Sequence, residues 1–232
     1  MKHTTKFLLM LVTGFFFLTG FAFKENDILY DKETYKPVLS YEGDTRYLSY
    51  YQMLGKSGET HSKPRIVERN SKIILIGDSR VENFITLSDP DISIITKPGC
   101  RYDWLETIGL NILKKSDLSG RKIFIMSGIN DLRVCSAEEA ANNMERVLME
   151  YRTQTNADEV YLVEIGPVPG PNGVALNEQI VSYNSFISQY QENVPLFSYL
   201  ETKGCQPVND IDIFHYSPET NVKIAGLLKS YF

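Results

Sequence analysis

Histidine and cysteine are scarce in this 232-residue chain, three of each, and neither sign of charge dominates it. The six residues are scattered, so none of them forms a cluster with metal-ligand spacing, and neither a metal nor another cofactor is expected. Lysine and arginine number 24 against 29 acidic residues, a net charge of −5. That balance argues against a nucleic-acid partner, whose binders carry a basic footprint. There is no block of like charge, no internal repeat and no low-complexity tract, which excludes charged tails and repeat arrays. No glycine pattern suited to cradling phosphates is found. What remains is an ordinary globular composition, 43% hydrophobic and 23% charged, at a length suited to one domain with additional segments.

The start of the chain is basic, "MKHTTK", and the stretch "FLLMLVTGFFFLTGFAF" over residues 7–23 carries no charge. That order reads as a secretory signal over residues 1–22, with Gly20 and Ala22 as small residues before a cleavage point. Uncleaved, residues 7–23 would serve as a membrane anchor. Either way the expectation is export, secreted or held at the outer face of the cytoplasmic membrane. Residues 23–70 follow as a polar arm with six tyrosines (Tyr30, Tyr35, Tyr41, Tyr47, Tyr50 and Tyr51) and no sustained period of 2 or 3.6. The arm reads as a stalk against the main domain, or as a tyrosine-lined sugar platform.

Residues 71–232 are more regular. "KIILIGD", "ISIIT", "KIFIMSG", "EVYLVEIGP" and "VPLFSYL" read as five strands, with helical segments between them. Asp103 with Glu106 suggests a capping box, Ser136 with Glu139 another, and Ser217 followed by Pro218 opens the last helix. Alternating strands and helices imply a parallel sheet covered on both faces, with ligands at the carboxyl ends of the strands. Ser79, Gly99 and Asn130 each follow one of the first three strands, and His215 precedes the last helix.

These residues form a chemical set. Ser79 sits at a strand-to-helix turn, where unpaired N–H groups favour developing negative charge. A serine nucleophile needs a base. His3 lies in the leader and His61 in the arm, so His215 is the histidine available, with Asp212 three residues earlier to hold its tautomer. Gly99, through its N–H, and Asn130, through its amide, are candidate oxyanion donors.

The segment from residue 73 onward resembles the SGNH, or GDSL-type, hydrolase family. "GDS" matches its first block, Gly99 the second, "GIND" with Asn130 the third and "DIFH" the fifth, and the "GDSR" form is similar to a subgroup of bacterial surface proteins. The resemblance implies a three-layer α/β/α sandwich with a five-stranded parallel sheet, flavodoxin-like. It also implies Ser79 as nucleophile, His215 as base, Asp212 as its partner, and Ser79, Gly99 and Asn130 around the oxyanion. Asp210 lies close enough to the histidine to compete with Asp212 for the third role.

The expected activity is serine ester hydrolysis, removing small acyl groups from a carbohydrate or cell-surface glycan. The alternatives are a lipase or lysophospholipase, an acyltransferase using the same serine, and a surface binding protein with a vestigial site. A phosphatase would want a second aspartate where Arg80 stands. Arg80 is a candidate for binding an anionic group or for pairing with Glu82. Tyr102 and Trp104 are candidate cleft residues, Trp104 equally a core one. "GPVPGPNGVA" is the lid candidate, read as a shaped rim. Convergence of the Gly99 and Asn130 loops would bring Cys100 and Cys135 within bridging distance, leaving Cys205 free; the alternative is three free thiols.

Overall fold

The computed structural model describes residues 28–31, 36–39, 71–87, 89–169, 173–209 and 212–232. The expected leader, most of the arm and Asp210 lie outside the described residues. Within the arm, β1 (Ile28–Asp31) and β2 (Lys36–Leu39) pair as a separate two-stranded sheet, strand structure that the irregular sequence of this segment did not announce.

The apolar runs of the main segment pair into a second sheet. β3 (Ile73–Gly77) lies between β4 (Ile92–Thr96) and β5 (Lys122–Met126), followed outward by β6 (Glu159–Val163) and the two-residue β7 (Asn193–Val194). The order is β4-β3-β5-β6-β7, and every pairing is parallel. β3 and β4 are buried along their whole lengths, as continuous apolar strands must be when both faces are covered.

The helices are α1 (Ser79–Glu82), α2 (Tyr102–Trp104), α3 (Leu110–Leu113), α4 (Ala137–Gln154), α5 (Val174–Ile187), α6 (Leu196–Lys203) and α7 (Pro218–Lys229). Ile73 and Leu75 of β3 pack on one face with Ile92, Ile94, Phe124 and Met126, against Val81, Phe84 and the inner side of α7, Ile224, Ala225 and Leu228. Successive strand residues point to opposite faces. Accordingly Ile76 meets Gly109 and Tyr151 on the other side: a Cβ on Gly109 would lie 3.0 Å from Ile76 Cδ1 and 2.7 Å from the Tyr151 hydroxyl. That hydroxyl donates to Leu105 O at 2.8 Å, within a π turn (Leu105–Gly109) that joins α2 to α3. The result is the expected three-layer α/β/α sandwich.

Several local expectations need correcting. "VPLFSYL" is a strand only at Val194; Pro195 supplies no N–H to a ladder, and Leu196 and Leu200, four apart, bury one face of α6. The capping box at Asp103 does not form. α2 begins after Arg101, Asp103 Oδ1 accepts from the adjacent Trp104 N–H, and Glu106 pairs with Arg146 of α4. Ser136 and Ser217 do cap their helices, accepting from Glu139 N–H at 3.2 Å and Thr220 N–H at 3.3 Å. The Cys100–Cys135 bridge is not formed, and all three cysteines are free thiols. Cys135 Sγ turns back to donate to Asp131 O at 3.2 Å, while Cys100 is buried with its sulfur 3.9 Å from Ser127 Oγ. Of the lid candidate, Gly166 to Val168 are buried rather than forming a flap, and 170–172 lie outside the described residues.

Candidate active site at the carboxyl edge of the sheet

The site begins where β3 stops. A Cβ on Gly77 would stand 1.9 Å from Met126 O, so only glycine lets β3 and β5 stay paired up to the turn. Asp78 follows, fully buried, its Oδ1 accepting the Arg80 N–H at 2.9 Å as the cap of α1. Thr96 of β4 donates to Asp78 O at 2.7 Å and pins the turn from the other side. Burial pushes the Asp78 carboxyl above its ordinary range, against the Arg80 N–H and the charges of Arg80 and His215. The aspartate is therefore part of the scaffold of the turn. Ser79, the first residue of α1, is left half-buried at its tip.

His215 reaches Ser79 from the loop before α7. Its Nε2 lies 2.8 Å from Ser79 Oγ, across 136 positions of sequence. Its Nδ1 lies 2.7 Å and 2.9 Å from the two oxygens of Asp212. The carboxylate is itself fixed: Asp212 Oδ1 accepts the N–H groups of Phe214 and His215, both at 3.2 Å, so donor and acceptor belong to one tight turn. The side chains of Asp212 and His215 retain 27% and 14% of their exposure. Asp210, the competing acid, lies outside the described residues.

The loops after β4 and β5 close on the same edge. Lys97 N–H donates to Gly77 O at 3.1 Å, and Asn130 Nδ2 donates to Cys100 O at 3.3 Å, tying the Gly99 loop to both neighbours. Gly99 has φ of 70°, in the left-handed region, which glycine adopts without strain. Beside Asn130, Asp131 is fully buried. Its Oδ1 accepts the Tyr102 N–H at 3.2 Å, and its Oδ2 has no hydrogen-bond partner among the described residues. Burial raises its carboxyl to about 6.

Each of the three candidate substrate residues has partners within the protein. Trp104 is buried at the α2 end of the helix layer, so its core role is the one realised. Tyr102 places its ring under the Arg146 guanidinium at 5.3 Å. Arg80 is buried and makes no hydrogen bond to Glu82. Residues two apart on a helix do not face each other. Its guanidinium lies 4.6 Å over the Tyr216 ring and donates to three oxygens of the surrounding loops.

Two asparagines went unnoticed in the sequence. Asn184 of α5 bonds both N–H and C=O of Ile165, at 3.0 and 2.9 Å, and Asn177 does the same for Val168, at 2.8 and 3.0 Å. They fix the strand-like exit from β6. Their seven-residue spacing on one helix face is the signal that could have revealed them.

No family model matches the chain, and no curated protein matches it in sequence. Solved structures do. A candidate platelet activating factor from Streptococcus pneumonia is 23% identical, with a TM-score of 0.54 over 80% of this chain and 91% of that one. A member of the lipolytic protein G-D-S-L family from Veillonella parvula DSM 2008 is 15% identical, with a TM-score of 0.51 over 69% and 97%. A catalytic mutant of an acetylxylan esterase from Geobacillus stearothermophilus is 15% identical, with a TM-score of 0.52 over 71% and 94%. With the strand order and the placement of the glycine-aspartate-serine turn, these likenesses establish that the chain has the SGNH hydrolase fold.

Proposed function

We propose that this chain is an SGNH-family serine ester hydrolase that works through an acyl-serine intermediate. The observation that carries the reading is the continuous hydrogen-bonded set Ser79–His215–Asp212 at the carboxyl edge of the sheet. In the first half-reaction Ser79 Oγ attacks the ester carbonyl carbon while His215 Nε2 takes the hydroxyl proton. Asp212 holds the Nδ1 proton and steadies the imidazolium. The tetrahedral oxyanion is received by the Ser79 and Gly99 N–H groups and the Asn130 amide. Collapse breaks the carbon–oxygen bond of the ester, and His215 returns its proton to the departing alcohol. Water, deprotonated by His215, then releases the acid and restores Ser79.

The substrate we favour is a short acyl ester, such as acetyl, on a carbohydrate outside the cell. Phe214, 49% exposed and adjacent to His215, offers an aromatic face suited to a sugar ring. The fold is shared with an acetylxylan esterase, and the buried Gly166–Val168 stretch is unsuited to a mobile apolar lid. The basic start and uncharged run of residues 7–23 support export. The test is hydrolysis of a chain-length series of p-nitrophenyl esters and of acetylated xylooligosaccharides by the full chain and its Ser79→Ala variant. Turnover of acetyl substrates that vanishes in Ser79→Ala is expected. An undiminished rate in the variant overturns the mechanism, and a preference for long acyl chains overturns the substrate.

A further inference from the structure

Ser79 and His215 come from segments far apart in sequence, yet Nε2 and Oγ stand at hydrogen-bonding distance. The residue directly after the serine spans the gap. Arg80 Nε donates to Phe214 O at 2.9 Å, the carbonyl of the peptide bond that enters His215. Its Nη1 donates to Gly166 O at 2.9 Å, in the exit of β6 that Asn184 and Asn177 pin, and to the Tyr216 hydroxyl at 2.8 Å. Tyr216, on the other side of His215, passes a hydrogen bond on to Pro167 O at 3.2 Å. One planar guanidinium thus touches the residues before and after the histidine and the neighbouring loop.

An anion-binding role fits this arginine poorly. It is only 4% exposed, and the small cavity that it lines is also lined by Asp78 and Glu164. Its three bonds go to neutral oxygens within the protein, and Nη2 is the one nitrogen with no hydrogen-bond partner among the described residues. The fork geometry matters, because a lysine's single nitrogen could take the place of Nη1 at Gly166 O and the Tyr216 hydroxyl but could not also supply the separate Nε contact to Phe214 O.

We propose that Arg80 is a positioning residue that sets the reach between nucleophile and base, holding the Phe214–Tyr216 segment so that His215 Nε2 stays within hydrogen-bond distance of Ser79 Oγ. Asp212 orients the imidazole from within its own turn; Arg80 fixes that turn relative to the serine. The inference rests on the hydrolase reading above.

The experiment compares wild type, Arg80→Lys, Arg80→Met and Ser79→Ala on p-nitrophenyl acetate, with active sites counted by a fluorophosphonate that labels activated serines. Misplacement by about an ångström costs on the order of 100-fold. In Arg80→Lys, kcat per labelled site and the rate of labelling should therefore both fall roughly 10- to 100-fold, with KM within about threefold and full labelling reached at long times. Arg80→Met should fall at least as far. A merely structural arginine would lower the number of sites labelled or the melting temperature and leave kcat per site unchanged; that result overturns the proposal. Should Arg80→Met not fold, Arg80→Lys, which keeps charge and stem, decides alone. If Ser79→Ala is inactive while the arginine variants turn over like wild type, the Arg80 role falls and the hydrolase reading stands. If Ser79→Ala keeps full activity and labelling, both fall together.

Discussion

Asp131 provides a test of the electrostatics at the loops that follow β4 and β5. Its carboxyl is fully buried, bonded to Tyr102 N–H and otherwise unpartnered among the described residues, and burial raises it from 3.8 to about 6. A raised carboxyl binds its proton more tightly in the folded than in the unfolded chain. Its contribution to stability is therefore fully present below about pH 4 and is lost as pH rises through about 6. At roughly 1.4 kcal/mol per pH unit, the difference amounts to about 3 kcal/mol. Asp131→Asn removes this titration while keeping shape and an acceptor for Tyr102. Relative to wild type, the variant should therefore gain about 3 kcal/mol in unfolding free energy between about pH 3 and about pH 7.5. Urea denaturation of the two full-length chains at a series of pH values measures this, and any pH-independent cost of the asparagine amide cancels from the slope. A difference between variant and wild type that stays flat across this range would show that Asp131 titrates as an ordinary carboxylate.

Other perturbations reach different parts of the site. Asn130→Ala should raise the activation barrier for ester hydrolysis by about 2.7–4 kcal/mol, mainly through kcat, if its amide meets the oxyanion; an unchanged kcat removes it from that role. Gly77→Ala should destabilise the fold by on the order of 3 kcal/mol or more, because the clash with Met126 O is with backbone and cannot rotate away. A melting temperature within about two degrees of wild type would contradict that geometry. Asn184→Leu orphans both the backbone N–H and the backbone C=O of Ile165, each costing about 1–3 kcal/mol, and should lower the denaturation midpoint accordingly. In unreduced protein all three thiols should titrate with a disulfide reagent after unfolding; a recovered Cys100–Cys135 peptide would contradict the free thiols.

How far the sequence could be read depended on whether a residue's role was local. The strand ending in Gly77, Asp78 and Ser79 announced a turn that exposes a hydroxyl, because four apolar residues and a glycine are a local pattern. Asp212 and His215 were legible for the same reason, three residues apart in one turn. Arg80 was misread because its partners, Phe214, Gly166 and Tyr216, become neighbours only after the sheet is assembled. Trp104 had two readings in the sequence, and only the layer formed with α4 decides between them. "VPLFSYL" was ambiguous in kind: a short apolar run suits a buried strand or a buried helix, and only the spacing of Leu196 and Leu200 favoured the helix. The asparagines of α5 carry no local signal of their partners, since the backbone groups of Ile165 and Val168 that they bond are 19 and 9 positions away in sequence.

The 136-residue separation of Ser79 from His215 has a consequence for the order in which competence is acquired. β3, β4 and β5 can pair early, since their strands adjoin in sequence, and the serine turn can form with them. The base arrives with the segment ahead of α7, whose Ile224, Ala225 and Leu228 must dock beside Ile73, Val81 and Phe84. Long-range closures of this kind come late, after the entropy of the intervening loop has been overcome. On the hydrolase reading, a partly folded chain in which this segment has not yet docked would thus carry a shaped but chemically silent serine, and reactivity would switch on only with the docking of α7.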